Sequence, residues 1–293
     1  MNKYLLILCF FNVLWAGTLP IYKTLSETLP VGVIVTIRFG LAGILMIPFW
    51  KSFKGDMPKG MDLVKTFIMG VLVFCLGHRF QVAGNNYGGA GNSAVLMALE
   101  PLLASVMAAI FLKESIPTKR WAGFLLGMLG VAILNGVWKE DFKWTGLGAS
   151  MLFITSLLCE TAYSIIGKPI TAKADSGKIL CIALLSGTAV NLCFDYGNVV
   201  KAIPALPLKY WLMFAYLSIV CTVTGYLIWL NTVKRLDVNI VALTIFIQPI
   251  AGVPMAAFFL NEPLRLEQFW GAVVIASGLF IGFKLNNNNH KEK

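Results

Sequence analysis

Two short segments hold the residues with the clearest capacity for chemistry. ALEPLLASVMAAIFLKE, from Ala98 to Glu114, recurs 148 residues later as FIQPIAGVPMAAFFLNE, from Phe246 to Glu262, which sets Glu100-Pro101 on Gln248-Pro249. Both pairs interrupt apolar runs. A charge at the centre of a bilayer costs roughly 2.5–3.5 kcal/mol, and a proline leaves the carbonyl one helical turn earlier without its partner. Glu100 and Gln248 are therefore candidates to hold a substrate or an ion beside two helix breaks. The competing role is local: each side chain satisfies backbone loosened at a kink. A carboxyl caught between apolar surroundings and an approaching cation can also exchange a proton, so Glu100 is the candidate for coupling chemistry or for recognition of a cationic amine.

Helical spacing of three and four residues gathers further polar groups onto single faces. His78, Gln81 and Asn85 form one stripe, and Thr222, Tyr226 and Trp229 form another; Asn12 with Trp15 mirrors Ser156, Glu160 and Tyr163. These faces define a candidate transport path of Asn12, Trp15, His78, Gln81, Glu100, Glu160, Tyr163, Tyr226, Trp229 and Gln248. Arg38 is a possible ion-pair partner for Glu100, or else serves a helix carbonyl. Arg79 lies off the His78 stripe and is expected to snorkel outward. Glu114 and Glu262, at opposite membrane surfaces, are expected to fix short turns.

The same inventory argues against an enzyme. The chain contains neither GxxxxGK[ST] nor HExxH and has only two histidines, His78 and His290, so ATP hydrolysis and zinc catalysis lack their usual parts. The six cysteines lie singly in apolar runs without CxxC spacing, which reads as apolar filling rather than a metal site or disulfide framework. No catalytic residue, metal or cofactor is expected.

The elements that must position these residues follow from composition. Of the 293 residues, 58% are hydrophobic and 13% charged, against roughly 45–50% and about 25% in soluble proteins. The apolar residues fall in runs near the roughly 20 residues a helix needs to cross a bilayer. Ten helical spans are predicted, over 4–22, 28–49, 63–83, 90–112, 120–138, 144–167, 179–199, 209–233, 238–260 and 267–285. Continuous apolarity excludes the alternating pattern of a membrane barrel. The first span, despite Lys3 and a signal-like apolar stretch, is expected to stay as a mature helix, since it carries Asn12, Trp15 and Pro20 and has a later counterpart.

The formal charge of +10 is not spread evenly. With the N-terminus inside, sixteen of the 24 lysines and arginines fall in inner segments and six in outer loops. The positive-inside rule then places both termini in the cytoplasm, in a multi-pass protein of the cytoplasmic membrane. The basic excess belongs to topology and the lipid surface, not to nucleic acid. Organisation is expected as a first five-helix repeat at 1–141, a second at 142–285 and a polar tail at 286–293. Because five is odd, equivalent helices cross in opposite directions, the inverted-repeat plan of many secondary transporters.

The LEP to FLKE segment, Leu99 to Glu114, and its copy IQP to FLNE, Ile247 to Glu262, resemble the EamA family of the drug/metabolite transporter superfamily. GYLIWLNTVKRLD, Gly225 to Asp237, resembles that family's eighth helix and cytoplasmic turn, and Pro30 with Arg38 its second helix. The resemblance covers residues 4 to 285. It implies an all-α, ten-helix membrane fold around a central cavity, and a secondary transporter exporting amino acids or related metabolites by alternating access. A channel-like facilitator and a membrane-embedded enzyme stay open as alternatives, as do monomer and homodimer. Glycines 123, 127, 130, 278 and 282 have the spacing for close helix packing, or for a dimer face.

Overall fold

A computed structural model describes residues 3–88, 90–140, 142, 144, 146–260 and 265–284, without the side chains of 90, 91 and 256–260. The described chain is helical. We number the spans α1 (Lys3–Ser26), α2 (Val31–Ser52), α3 (Met61–Gly88), α4 (Asn92–Phe111), α5 (Thr118–Asn135), α6 (Leu147–Thr171), α7 (Ser176–Ala205), α8 (Leu208–Val233), α9 (Val238–Met255) and α10 (Leu266–Phe283). Nine of them are long and apolar enough to cross a membrane among the described residues. The other is α5, whose opening Lys119 and Arg120 lower its mean hydropathy although its 18 residues suffice in length. The expected span 120–138 thus starts two residues early and stops at Asn135, where Gly136 adopts φ 63°, the left-handed cap that glycine takes at no steric cost.

The molecule is apolar on its outer surface and buries polar side chains within an otherwise apolar core. Phe10, Ile44, Leu125 and Phe280 are each at least 60% exposed, whereas Asn12, Arg38, Asn191 and Thr222 are buried. In water this distribution would forfeit the hydrophobic effect; against lipid tails it costs nothing and leaves the interior for polar contacts. Helix packing follows the repeat. The α1–α8 contact has its mate in α6–α3, and α1–α9 in α6–α4, while α2–α7, α4–α9 and α5–α10 are each their own mates. This is the pairing that two halves related by a pseudo-two-fold axis must show.

Irregular backbone also comes in mates. The helix is π-wound over Leu72–Gly77 in α3 and over Tyr216–Thr224 in α8, and such insertions commonly sit beside functional sites. The α4 helix turns at Ala98 and Leu99 just before Glu100-Pro101, and α9 tightens over Thr244–Phe246 just before Gln248-Pro249. A further break separates Trp15 from Thr18 in α1.

The glycine stripes of α5 and α10 face each other inside one chain, so the surface that a glycine-mediated dimer would use is already occupied. A Cβ on Gly130 would lie 2.6 Å from Ile275 Cγ1 and 2.8 Å from the Gly271 carbonyl oxygen. One on Gly148 meets nothing within 4 Å. Gly130→Ala should therefore lower stability by about 1–3 kcal/mol through forced separation of the helices, and Gly148→Ala should not. Thermal unfolding of the purified variants in detergent checks the contrast; equal melting temperatures would show that α5 and α10 are not packed this closely.

Candidate functional site

One cavity of about 510 Å³ lies between the halves. Its wall includes Trp15, Arg38, His78, Gln81, Glu100, Glu160, Tyr163, Tyr226, Trp229 and Gln248. Asn12 stands behind the wall, with its amide oxygen 2.8 Å from Gln248 Nε2 and its amide nitrogen donating to Thr244 at 2.9 Å. The helix breaks explain the convergence. Each one turns a polar side chain, or the residues next to it, out of lipid and toward the interior.

Repeat mates meet across the cavity. His78 follows the π-wound segment of α3, Tyr226 follows that of α8 at an offset of 148, and His78 Nε2 lies 3.0 Å from the Tyr226 hydroxyl. The same offset relates Gln248 to Glu100, and Glu160 lies within one helical turn of the position that mirrors Asn12. The fold thus places an amide pair, Asn12 with Gln248, where its other half places two carboxyls, Glu160 and Glu100. The amides bond each other. The two carboxyls share one chamber, where two negative charges repel.

Their surroundings differ. The Tyr226 hydroxyl donates to Glu160 Oε2 at 3.0 Å, and His78 Nε2 lies 2.9 Å from Oε1. Among the described residues no hydrogen-bond donor reaches Glu100. An aromatic box adjoins them: Trp15 is 5.9 Å from Tyr226 and 6.0 Å from Trp229, and Tyr163 is 4.9 Å from Tyr226, between ring centroids. Each ring's polar atom is tied, Trp15 Nε1 to the Cys221 carbonyl at 2.7 Å, Trp229 Nε1 to Ser164 Oγ at 2.8 Å and the Tyr163 hydroxyl to the Tyr226 carbonyl at 3.3 Å. The box is therefore held rigid, with all four aromatic residues on the cavity wall, where aromatic rings can meet a cation or an apolar group.

Arg38 is placed otherwise than by an ion pair with Glu100. Its guanidinium donates to the Tyr22 hydroxyl and, through Nε, to Thr222 Oγ1 at 3.0 Å, and it packs 4.8 Å from the Phe39 ring centre. Arg79 does not snorkel. It pairs with Asp195 and donates to Asn191 Oδ1 at 2.7 Å, because α7 offers it partners within the protein.

The two ends of the cavity are unlike. Lys23, Asn135, Arg265 and Gln268, at the ends of α1, α5 and α10, border its open end. The opposite end is closed by a polar knot. Lys168 Nζ lies 2.7 Å from Glu114 Oε1 and 2.8 Å from the Leu236 carbonyl, while Glu114 Oε2 accepts from Val238 N at 2.8 Å and Asn239 Nδ2 at 3.3 Å. Glu114 thereby fixes the turn between α8 and α9 and ties it to α4 and α6. Lys113, at φ 56°, turns the chain that presents it. Glu262, its repeat mate, lies outside the described residues. Sequence reasoning overlooked Tyr22 and the cationic rim. Tyr22 stands seven residues after Trp15, the spacing of one helix face, but the break at residues 16 and 17 hides that register.

The family model described as the EamA-like transporter family matches the chain twice, over residues 2–136 and 147–283. The chain belongs to the EamA-like transporter family. This EamA-like transporter is 24% identical to a protein of Escherichia coli K12 named "Probable amino-acid metabolite efflux pump", over 92% of this chain and 91% of that one. It is 22% identical to a "Probable terminal-alkyne amino-acid exporter" of Streptantibioticus cattleyicolor, over 92% and 90%, and 23% identical to an uncharacterized transporter of Archaeoglobus fulgidus, over 85% and 87%. A known crystal structure superposes over the full length of both chains with a TM-score of 0.78 at 16% identity, a likeness of fold. The all-helical membrane fold in two EamA halves, expected from the repeat, is thereby established, and the chain is a transporter rather than an enzyme.

Proposed function

We propose that this EamA-like transporter is a secondary carrier that exports amino acids or related amine-bearing metabolites by alternating access, through the cavity between its halves. The observation that carries the reading is a chamber that pairs two carboxyls with a rigid aromatic box, open at one end and tied shut at the other. An ammonium group suits both surfaces, through a charge-assisted hydrogen bond to a carboxyl and attraction to the ring faces. The names of the two exporter relatives point to the same substrate class. The bias of lysine and arginine supports cytoplasmic termini in a cytoplasmic membrane, so the open end faces out and the Glu114–Lys168 knot faces the cytoplasm. Residues 1–141 and 142–285 serve as the two repeats that rock about the site. A facilitator is disfavoured by the knot, since none of its residues borders the cavity among the described residues.

Counterflow in proteoliposomes tests this reading. Vesicles loaded with an unlabelled amino-acid mixture should accumulate external labelled members of the mixture transiently. Equal, non-saturating leakage of every tracer would contradict a carrier.

A further inference from the structure

Arg38 is a buried residue of the cavity wall with no carboxylate beside it among the described residues, and a line of hydrogen bonds leads from it to Glu160 on the same wall. Its guanidinium donates to the Tyr22 hydroxyl; that hydroxyl lies 3.2 Å from His78 Nδ1; His78 Nε2 lies 3.0 Å from the Tyr226 hydroxyl; and Tyr226 donates to Glu160 Oε2 at 3.0 Å. Tyr22, His78 and Tyr226 are all buried.

The donor directions in this chain are not free. Guanidinium has no acceptor, so Tyr22 must accept from Arg38 and has its single proton left for His78 Nδ1. An imidazole that accepts at Nδ1 is neutral and carries its proton on Nε2. Tyr226 has given its own proton to Glu160, so it accepts that Nε2–H. The four bonds then point one way, from the cation to the carboxyl, an arrangement in which each bond polarises the next. At the far end Glu160 Oε1 is left buried without a hydrogen bond of its own, although His78 Nε2 is only 2.9 Å away, because that N–H is committed to Tyr226.

We propose that Tyr22, with Arg38 behind it, is a positioning residue of the site. It fixes His78 as the Nε2–H tautomer and, through Tyr226, orients the Glu160 carboxyl on the wall of the cavity where the substrate is bound. Tyr22 touches neither cavity nor substrate. The role of Glu160 toward the substrate rests on the reading of the cavity as a substrate site; the tautomer and the hydrogen-bonded line do not.

The test is nitrogen-15 NMR of histidine-labelled protein in nanodiscs, with no ligand added. The chain has only two histidines, so His290→Ala leaves the His78 signals alone. At roughly pH 7, near where a free imidazole titrates, His78 should show one protonated ring nitrogen, Nε2, and a hydrogen-bonded, unprotonated Nδ1. Tyr22→Phe should shift the Nδ1 resonance to its unbonded position and divide the proton between the two nitrogens. An imidazolium or an Nδ1–H tautomer in the unsubstituted site would overturn the proposal, as would His78 signals unchanged in a folded Tyr22→Phe protein. The first of these measurements needs no variant, so misfolding of Tyr22→Phe leaves it decisive. Failure of counterflow with intact NMR signatures would remove the substrate reading and leave the chain standing.

Discussion

Glu100→Gln should abolish concentrative transport and flatten its pH dependence while leaving insertion and folding intact. The argument rests on the asymmetry of the two halves. Asn12 and Gln248 satisfy each other at 2.8 Å, but their mates Glu160 and Glu100 are not equivalent. Glu160 has Tyr226 and His78 at its oxygens, whereas Glu100 has no donor among the described residues and stands beside the freed backbone at Pro101. It is the carboxyl available to a proton or an ammonium. A hydrogen bond to a charged group contributes about 1.5–3 kcal/mol, so its loss should weaken binding of an amine substrate roughly ten- to hundred-fold. Glu100→Asp keeps the charge but withdraws it by one methylene, and should retain partial transport. Proteoliposome uptake measured over a pH series, alongside a melting curve for each variant, decides it. If Glu100→Gln keeps the affinity and pH profile of the native chain, Glu100 only serves its kink and Glu160 becomes the residue to test.

Much of this was legible in the sequence, and the reasons are particular. Apolar runs of fixed length dictate membrane helices. The 148-residue offset between ALEP and FIQP exposes the two halves, because a polar residue followed by proline in an apolar span is too costly to recur by accident. The stripes through His78 and Tyr226 were readable because helical period alone places them on one face. What the pattern does not encode is which face meets which. Arg38 suggested Glu100 as its partner, since charge is the only attraction a sequence displays. The fold instead gives it Tyr22, on a helix whose break conceals the register, and Thr222, within a π-wound segment that shifts the helix face. Arg79 reads as a snorkelling cation until α7 brings Asp195 beside it. The knot at the closed end joins residues from three separate segments, and no local spacing announces it.

That knot gives the second large effect. Lys168 joins Glu114 to the Leu236 carbonyl, and Glu114 holds the backbone N–H of Val238. All three segments must part if the cavity is to open at this end. Lys168→Met removes the cation and leaves the Glu114 carboxylate, only 7% exposed, without its counter-charge. Leaving one partner of such a pair unmatched costs about 1.5–3 kcal/mol, so the closed state should lose roughly ten- to hundred-fold in population. Glu114→Gln keeps an acceptor for Val238 and should have a smaller effect. The double variant should fall short of the sum, since both substitutions remove one interaction.

The most direct measurement of the alternating cavity is two-sided thiol labelling of Ala98→Cys, a small residue on the cavity wall, in a chain stripped of its six native cysteines. A membrane-impermeant reagent should react from the outer side in the native background and about tenfold or more slowly from the cytoplasmic side. Adding Lys168→Met should raise the cytoplasmic rate by at least about tenfold and lower the outer rate. Equal labelling from both sides with the Glu114–Lys168 pair intact, or a cytoplasmic rate unmoved by its removal, would contradict a single site that opens to one side at a time.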